Sequence, residues 1–231
     1  MSATIAGDRP CHLRDPPESH NFLMGIGEVI GEMISKRFVI NELLYESKHM
    51  RVASALDLQD PGVVAVKLAR SEVAAEALTQ EAFYLSKLLP YKIPGIPKIV
   101  YSEKKVLVTT PVGINLAVLE HQARQAGSPL PPSCLDQWKT QLQTIIRQMH
   151  QAGVIHRDIK PANLILHEKQ LYLIDFDSAT SVSKPSSEYA GTLQYMSSAA
   201  KQKEPATITD DWVSLNYTML ALTKGVLKYE N

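Results

Sequence analysis

The stretch HRDIKPAN, residues 156–163, decides the interpretation of this sequence. It places a carboxylate, an ammonium group and a carboxamide at fixed spacings, on Asp158, Lys160 and Asn163. Twelve residues after the carboxamide stands a second acidic motif, Asp175-Phe176-Asp177, directly behind an apolar run that predicts a short strand. Carboxylate and amide oxygens are hard ligands suited to Mg²⁺, so the two motifs together predict a site for a divalent cation.

The composition is that of a soluble globular protein and argues against several classes of partner. The 231 residues allow one large domain or two small lobes. The 24 basic and 24 acidic residues cancel, which argues against a nucleic-acid surface and against a polybasic membrane surface. No apolar run approaches bilayer length, and the two cysteines are too few for a disulfide framework, so we expect a cytoplasmic setting.

The start of the chain contains two different patterns. Residues 1–21 carry three prolines among polar residues, which predicts a disordered or loosely attached tail. Residues 22–35 carry apolar side chains at helical spacing, which predicts an amphipathic helix. The apolar stripe of this helix consists of Phe22, Ile26, Val29, Ile30 and Met33.

The next part of the chain has the pattern of a β-sheet interrupted by one helix. Short apolar and β-branched runs predict five antiparallel strands, at Phe38–Leu44, Arg51–Leu56, Val63–Leu68, Ile96–Tyr101 and Val106–Thr109. The helix is predicted between the third and fourth strands, from about Val73 to Leu89.

The remainder is predicted to be mostly helical. Ser133 is a suitable N-cap for a helix that ends at Gly153. The buried face of that helix is predicted from apolar residues at helical spacing, namely Trp138, Leu142, Ile145, Ile146 and Met149. A later helix is expected from about Thr209 to Thr223.

These motifs, in this order, resemble the eukaryotic-type protein kinase superfamily. Residues 156–163 resemble its catalytic loop, the motif at 175–177 its magnesium motif, and Val64-Ala65-Val66-Lys67 the strand with its nucleotide-binding lysine. The resemblance covers roughly residues 36–223 and implies an α+β, bilobal protein-kinase-like fold. A small antiparallel β lobe with one helix, residues 36–112, would precede a mostly helical lobe, residues 113–231, that lacks the family's last helices.

The resemblance implies roles for the polar residues of both motifs. Asp158 would orient the acceptor hydroxyl and take its proton, and Lys160 would neutralise charge on the transferred phosphate. Asn163 and Asp175 would bind Mg²⁺ beside the phosphates of ATP. His156 and Phe176 are instead expected to pack internally.

The nucleotide site is implied in the same way. Lys67 would hold the α- and β-phosphates, and it needs an acidic partner. Glu81 is favoured because Leu85 and Leu88 follow it at i+4 and i+7 on the predicted inward face; Glu72 and Glu76 are the alternatives.

The segment after the predicted fifth strand would bind the adenine edge. Thr109 would be the gatekeeper, and the Thr110 carbonyl and the Val112 amide would form hydrogen bonds with the base. Further along the chain, Thr192 would bond to Asp158 and Lys160, and Asp211 would anchor the backbone of the catalytic loop.

The sequence departs from the family in three places. The predicted position of the phosphate-covering loop, Tyr45–His49, has no glycine, and Glu46 is expected there to repel phosphates while Ser47 and Lys48 assist. Asp177 stands where the family usually has glycine, which could shift the metal preference toward Mn²⁺. The segment-ending Ala-Pro-Glu motif is replaced by residues 197–199, so its glutamate is absent.

Three functional hypotheses follow. The first is phosphoryl transfer from Mg-ATP to Ser/Thr hydroxyls of a protein substrate. The second is a pseudokinase-like binding or scaffold module with weak nucleotide binding, which the missing glycines favour. The third is a kinase-fold phosphotransferase that acts on a small molecule. A regulatory protein partner, and delivery into a host cell as an effector, are further expectations that rest on the reduced form of the fold.

Overall fold

The structure, a computed structural model, describes residues 30–224. The predicted tail and residues 22–29 of the predicted amphipathic helix therefore lie outside the described residues. The end of that predicted helix is wrong, because Met33–Ile34 forms a short strand, β1. Met33 and Ile34 pair with Val39 and Phe38 of the next strand, so pairing with a neighbouring strand overrides the helical spacing of the apolar side chains.

The small lobe is built on an antiparallel sheet in which all five predicted strands are present. They are β2 (Phe38–Glu46), β3 (Met50–Asp57), β4 (Gly62–Ala69), β5 (Lys98–Glu103) and β6 (Val106–Thr110). With β1 the sheet has six strands in the order β1-β2-β3-β4-β6-β5. Alternate residues share a face, and the buried face consists of Phe38, Ile40, Ala53, Ala55, Val64, Val66 and Val108.

Helix α1 (Glu72–Leu88) lies between β4 and β5 in the chain, as the sequence predicts. It begins at Ser71, whose hydroxyl accepts a hydrogen bond from the backbone N–H of Ala74 at 3.2 Å. Its buried stripe includes Leu78, Leu85 and Leu88, which recur at helical spacing, and Glu81 lies on the same stripe. The amphipathic pattern of α1 therefore carries one acidic side chain into the interior.

The large lobe is mostly helical. Its helices are α2 (Leu116–Gln125), α3 (Pro132–Gln151), the short α4 (Ser198–Lys201) and α5 (Ile208–Lys224). Short strands lie between them, at β7 (Ile114–Asn115), β8 (Val154–Ile155), β9 (Leu164–His167), β10 (Gln170–Leu173) and β11 (Thr180–Ser181). The five apolar residues predicted for the buried face of α3 are all buried in the core of this lobe. This arrangement confirms the α+β fold with a β-rich lobe followed by a helical lobe.

One detail of α3 differs from the sequence-based prediction. Its N-cap is Pro131, with no side-chain cap, and Ser133 lies within the first turn. Pro132 occupies the first helical position, where its missing N–H has no intrahelical partner to lose and its fixed φ already suits the helix. The proline pair therefore starts the helix two residues earlier than a cap at Ser133 would. No helix within residues 30–224 is long and apolar enough to span a membrane.

Gly95 brings the segment between α1 and β5 against the large lobe. Its φ is +90°, and a Cβ there would lie 2.4 Å from Cδ1 of Ile145 and 2.6 Å from the carbonyl oxygen of Leu171. Its own carbonyl oxygen accepts a hydrogen bond from the N–H of Leu173 at 2.9 Å. Because no other residue fits so close, this glycine fastens the small lobe to β10, the strand that leads into the acidic motif at 175–177.

Substitution of Gly95 tests this contact. We expect Gly95→Ala to lower the free energy of unfolding by about 1–2 kcal/mol for the positive φ and by about 1–3 kcal/mol more for overpacking against Ile145. Gly127→Ala is the matched control, since Gly127 has φ +64° but nothing within 4 Å of a Cβ. Urea denaturation measures both variants, and an equal loss of stability in the two would contradict the close contact.

A buried ion pair joins the start of β2 to the end of β3. Nε and one terminal nitrogen of Arg37 donate to the two carboxylate oxygens of Asp57 at 2.7 and 2.6 Å. Asp57 is only 4% exposed. The hydrogen bonds from Arg37 lower the pKa of the Asp57 carboxyl to about 2.

This lowered pKa predicts a pH dependence of stability. The pair contributes its full stability above the pKa of the unfolded aspartate, about 4, because the Asp57 carboxyl is then ionised in both the folded and the unfolded protein. As the pH falls from about 4 to about 2, the unfolded chain takes up a proton first and the contribution is lost. Asp57→Asn should be less stable at pH 7 and show a shallower loss of stability across this interval. Parallel slopes for the two proteins in denaturation at several pH values would count against the pair.

Candidate active site

One buried carboxylate binds the backbone of the loop that contains residues 156–163. Asp211, on α5, is fully buried, and its two oxygens accept hydrogen bonds from the backbone N–H groups of His156 at 2.9 Å and Arg157 at 2.8 Å. The ring Nε2 of His150 lies 2.8 Å from the same carboxylate. Asp211 therefore anchors the backbone of the loop, as the resemblance implies, and links α5 to α3 and to the loop.

His156 and Phe176 form the floor of the site. Both are fully buried, and their rings meet edge to face with centroids 4.7 Å apart. The N–H of Asp158 donates to Nδ1 of His156, so Nε2 carries the proton and donates to the carbonyl oxygen of Ile174 at 3.1 Å. The histidine thus links the loop to the strand end before Asp175.

Asp158 lies at the centre of a compact polar cluster. Nζ of Lys160 lies 2.6 Å from its Oδ2, and the hydroxyl of Thr192 donates to its Oδ1 at 2.8 Å. Lys160 also donates to the Thr192 hydroxyl at 2.8 Å, which closes a triangle of three side chains. The amide nitrogen of Asn163 donates to the backbone carbonyl of Asp158 at 2.8 Å and to Oδ2 at 3.0 Å. Both oxygens of this carboxylate are therefore held in place by neighbouring donors.

Gly191 allows Thr192 to reach this cluster. Its φ is +100°, and a Cβ there would lie 2.4 Å from the carbonyl oxygen of Arg157. Only glycine permits the segment to approach the loop so closely. Sequence reasoning predicted the contacts of Thr192 but missed the requirement at Gly191, which depends on how two distant segments are placed.

Lys67 lies between two carboxylates. Its Nζ contacts both oxygens of Glu81, at 2.8 and 2.7 Å, and Oδ1 of Asp175 at 2.9 Å. The alternatives are not its partners, since Glu72 pairs at the surface with Lys104 and Lys105, and Glu76 is exposed. The contact with Asp175 joins residues 108 positions apart and brings the two predicted halves of the site together.

The three charged groups of this cluster have shifted pKa values, because one ammonium group lies between two carboxylates. Burial alone would lower the pKa of Lys67, but Asp175 and Glu81 outweigh it and raise that pKa. Burial raises the pKa of Glu81 to about 7 against the attraction of Lys67. For Asp175 burial acts in the same upward direction, but Lys67 prevails and lowers the pKa of the carboxyl.

The oxygens of Asn163 and Asp175 fit a divalent cation. Among residues 30–224, the hydrogen bonds of the Asn163 side chain are made by its nitrogen, which leaves its carbonyl oxygen for a ligand. Asp175 uses Oδ1 for Lys67, and its φ of +71° sets the carboxylate at the end of β10. Asp177 is half-buried, and burial, followed by the charge of Asp175, raises the pKa of its carboxyl. A carboxylate and an amide oxygen are the donor types that Mg²⁺ prefers.

The segment predicted to bind adenine connects the lobes. Thr109 is buried and Thr110 ends β6. The carbonyl of Val112 accepts from Nδ1 of His167 at 2.7 Å. Within residues 30–224 the N–H of Val112 meets no hydrogen-bond acceptor, which leaves it available to a ligand.

In the hairpin predicted to cover phosphates, the expectation that Glu46 repels them is wrong. Glu46 does not present an uncompensated negative charge, because its Oε1 pairs with Arg51 at 2.9 Å and with Arg70 at 2.8 Å. The Ser47 hydroxyl is used within the turn, where it accepts from the N–H groups of His49 and Met50. Sequence reasoning missed both arginines, because Arg51 reaches Glu46 through the pairing of β3 with β2, and Arg70 reaches it from the position after β4.

Residues 197–199, which replace the usual segment-ending motif, are fastened by hydrogen bonds. The Ser197 hydroxyl donates to Asp210 at 2.5 Å, and the second oxygen of Asp210 accepts from the N–H of Thr207 at 2.7 Å. Ser214 on α5 donates to the carbonyl of Tyr195 at 2.7 Å. Hydroxyl donors on Ser197 and Ser214 therefore hold this segment against α5, and the sequence carried no motif that predicts these contacts.

Comparison with known proteins agrees with this geometry. The family model of the protein kinase domain matches residues 41–231. The chain is similar to the MAP kinase kinase MKK1/SSP32 of Saccharomyces cerevisiae, with 39% identity over 79 residues. It is also similar to the casein kinase 1-like protein HD16 of Oryza sativa, with 28% identity over 157 residues, and to casein kinase I homolog 3 of Schizosaccharomyces pombe, with 24% over 232 residues.

The coverage of these matches differs between the chains. The matches cover 33%, 59% and 92% of this chain in the order given, and 16%, 22% and 49% of the relatives. The chain thus spans at most about half the length of these relatives.

The anchoring carboxylate generates a prediction that does not depend on any activity. Asp211→Ala removes the acceptor of two buried backbone N–H groups, and each unsatisfied group costs about 1–3 kcal/mol. We expect a loss of about 2–5 kcal/mol in the free energy of unfolding, measured by urea denaturation. Asp136→Ala, at an exposed position of α3, is the matched control and should change stability by less than about 0.5 kcal/mol. Similar stabilities for the two variants would rule out the anchoring role.

Proposed function

The chain belongs to the protein kinase family, and on that premise we propose that it transfers the γ-phosphoryl group of Mg-ATP to serine or threonine hydroxyls of a protein. The observation that carries the proposal is the triangle of Asp158, Lys160 and Thr192, with contacts of 2.6–2.8 Å. It combines a proton acceptor, a cation and a hydroxyl in one place.

The triangle supports a defined chemical step. The acceptor oxygen attacks the γ-phosphorus, the bond from that phosphorus to the bridging oxygen of ADP breaks, and the acceptor proton passes to Asp158. Lys160 lies beside Asp158 and places a positive charge where negative charge collects on the phosphoryl oxygens. Oδ1 of Asp158 already accepts an O–H from Thr192, so its geometry suits an alcohol as donor.

The choice of a Ser/Thr-bearing protein as acceptor rests on the surroundings of this triangle. A cavity of about 420 Å³ opens beside it, with Lys160 and Thr192 in its wall and Tyr195, Ala117 and Ala221 behind them. A space of this size accommodates the side chains that flank an acceptor residue in a polypeptide. Lysine two residues after the catalytic aspartate is typical of Ser/Thr-directed members of the family.

The nucleotide side of the proposal rests on the Lys67 cluster. Lys67 is placed to hold the α- and β-phosphates, while Glu81 fixes its direction. Asn163 and Asp175 would hold Mg²⁺, or Mn²⁺, which supplies positive charge to the β- and γ-phosphates when bound. Thr110 and Val112 would bind the adenine edge from the segment between the lobes.

Labelled ATP tests the proposal directly. The chain is incubated with γ-labelled ATP, Mg²⁺ and a generic protein acceptor, beside Asp158→Ala and Lys67→Ala. We expect each variant to lose about 10²–10³-fold in the rate of label transfer, because one lacks the proton acceptor and the other the phosphate-binding cation. The exposed pair Asp136→Ala and Lys139→Ala on α3 serves as the matched control and should keep the wild-type rate.

The result discriminates among the three hypotheses. Label on phosphoserine or phosphothreonine supports the proposal. Equal labelling in wild type, Asp158→Ala and Lys67→Ala would sink it. Nucleotide binding without transfer would point to the scaffold hypothesis, and transfer to a metabolite in place of protein would point to the small-molecule hypothesis.

A further inference from the structure

The hairpin between β2 and β3 lies beside β4, the strand that carries Lys67, and its turn contains no glycine. In the pairing of β3 with β4, Val52 lies opposite Lys67 and Met50 opposite Ala69. The turn at residues 47–49 follows immediately, so it lies roughly 10 Å beyond the level of Lys67 along the strands. If the chain binds ATP as proposed, this turn of the small lobe would lie nearest to the nucleotide phosphates.

Contacts within the turn already restrict it. The Ser47 hydroxyl accepts from the N–H groups of His49 at 3.2 Å and Met50 at 3.0 Å, and the Ser47 N–H donates to the Met50 carbonyl at 2.8 Å. A glycine loop can approach phosphates because its backbone is free to move close to them. This turn has instead the fixed geometry of a serine-capped turn.

Arg70 and Ser71, the two residues that follow β4, form hydrogen bonds with the turn and with the end of β2. The Arg70 N–H donates to the His49 carbonyl at 2.8 Å, and its guanidinium contacts Oε1 of Glu46 at 2.8 Å and the Ser47 carbonyl at 3.4 Å. The hydroxyl of Ser71 lies 3.2 Å from Nδ1 of His49. Both arms of the hairpin are thus attached to the junction between β4 and α1.

The same contacts set the charge of the hairpin end. Glu46 is shared between Arg51 and Arg70, and Arg51 also reaches Glu32 at 3.3 Å. With Lys48 in the turn, three cations face two carboxylates, so the end of the hairpin is net positive. Without Arg70, two cations would face two carboxylates, and the net attraction for a polyanion such as a triphosphate would be lost.

The attachment continues into α1. Ser71, which contacts His49, is also the N-cap of α1. Helix α1 in turn carries Glu81, the partner of Lys67. The hairpin, the start of the helix and the phosphate-binding lysine are therefore connected through adjacent contacts.

We propose that Arg70 is a positioning residue for the nucleotide: it holds the glycine-free hairpin against the start of α1 and neutralises Glu46, so that the turn covers the triphosphate of Mg-ATP. This inference rests on the proposed function. Arg70 touches Glu46 and the turn, and it acts through them. Its side chain is 46% exposed, so its removal leaves the core intact.

Nucleotide affinity tests the proposal in the full chain. We expect Arg70→Ala to raise the Kd for Mg-ATP about fivefold, the upper range for loss of an exposed charge pair. The KM for ATP should rise by the same factor with little change in kcat, because the acceptor side is untouched. Arg70→Lys retains the charge on a compact ammonium group in place of the planar guanidinium and should restore part of the affinity.

A matched control separates positioning from loss of a surface arginine. Arg124 is 48% exposed and pairs with Glu120 at 2.5 Å within α2, away from the hairpin. Arg124→Ala should leave the Kd for Mg-ATP unchanged. Hydrogen exchange of the His49 and Met50 amides, measured without nucleotide, should speed up in Arg70→Ala and stay at the wild-type rate in Arg124→Ala.

The outcomes distinguish this inference from the proposed function. An unchanged Kd in Arg70→Ala, an equal rise in Arg124→Ala, or unchanged exchange at the turn overturns the role of Arg70. Wild-type protein that binds Mg-ATP but transfers no label overturns the proposed function and leaves the role of Arg70 standing. Wild-type protein that binds no nucleotide overturns both.

Discussion

The buried carboxylate of Asp211 is the constraint on which the rest of the site depends. It accepts the backbone N–H groups of two consecutive loop residues and contacts His150, with no exposure to solvent. A loop that carries a left-handed residue, Arg157 at φ +71°, would not hold that shape by itself. Because α5 supplies the acceptor, the core of the large lobe sets the position of the loop at residues 156–163, and with it the positions of Asp158 and Asn163.

A second constraint is the shared ammonium of Lys67. Desolvation makes each buried charge costly, so the lysine and its two carboxylates are stable only together. Glu81 arrives on the inward face of α1 and Asp175 at the end of β10, so the cluster ties the helix of the small lobe to the large lobe. Burial raises the pKa of Glu81 while Lys67 lowers that of Asp175, so Asp175 is the carboxylate of this cluster that more readily stays ionised.

Glycine is used in this chain where backbones meet, and not where phosphates would be covered. Gly95 and Gly191 both have positive φ, and a side chain on either would collide with backbone oxygen. The hairpin at residues 47–49 manages without glycine because a serine hydroxyl closes its turn and Arg70 holds it in place. The lobe junction and the approach of Thr192 to the loop at residues 156–163 therefore depend on glycine, while the turn at residues 47–49 depends on charge and capping.

The sequence by itself determined the elements and the chemical groups. Strand and helix periodicity depends on local spacing, so the five strands, α1 and the buried face of α3 were predictable, and Glu81 could be chosen because it shares a stripe with Leu85 and Leu88. Tertiary structure decided what depends on distant neighbours. Pairing with β2 turned Met33–Ile34 into a strand, and Arg51 and Arg70 neutralised Glu46. Asp210 accepts a hydrogen bond from Ser197, a contact for which the sequence carries no motif. The energies of such contacts depend on strand register and burial, which no local pattern of residue types encodes.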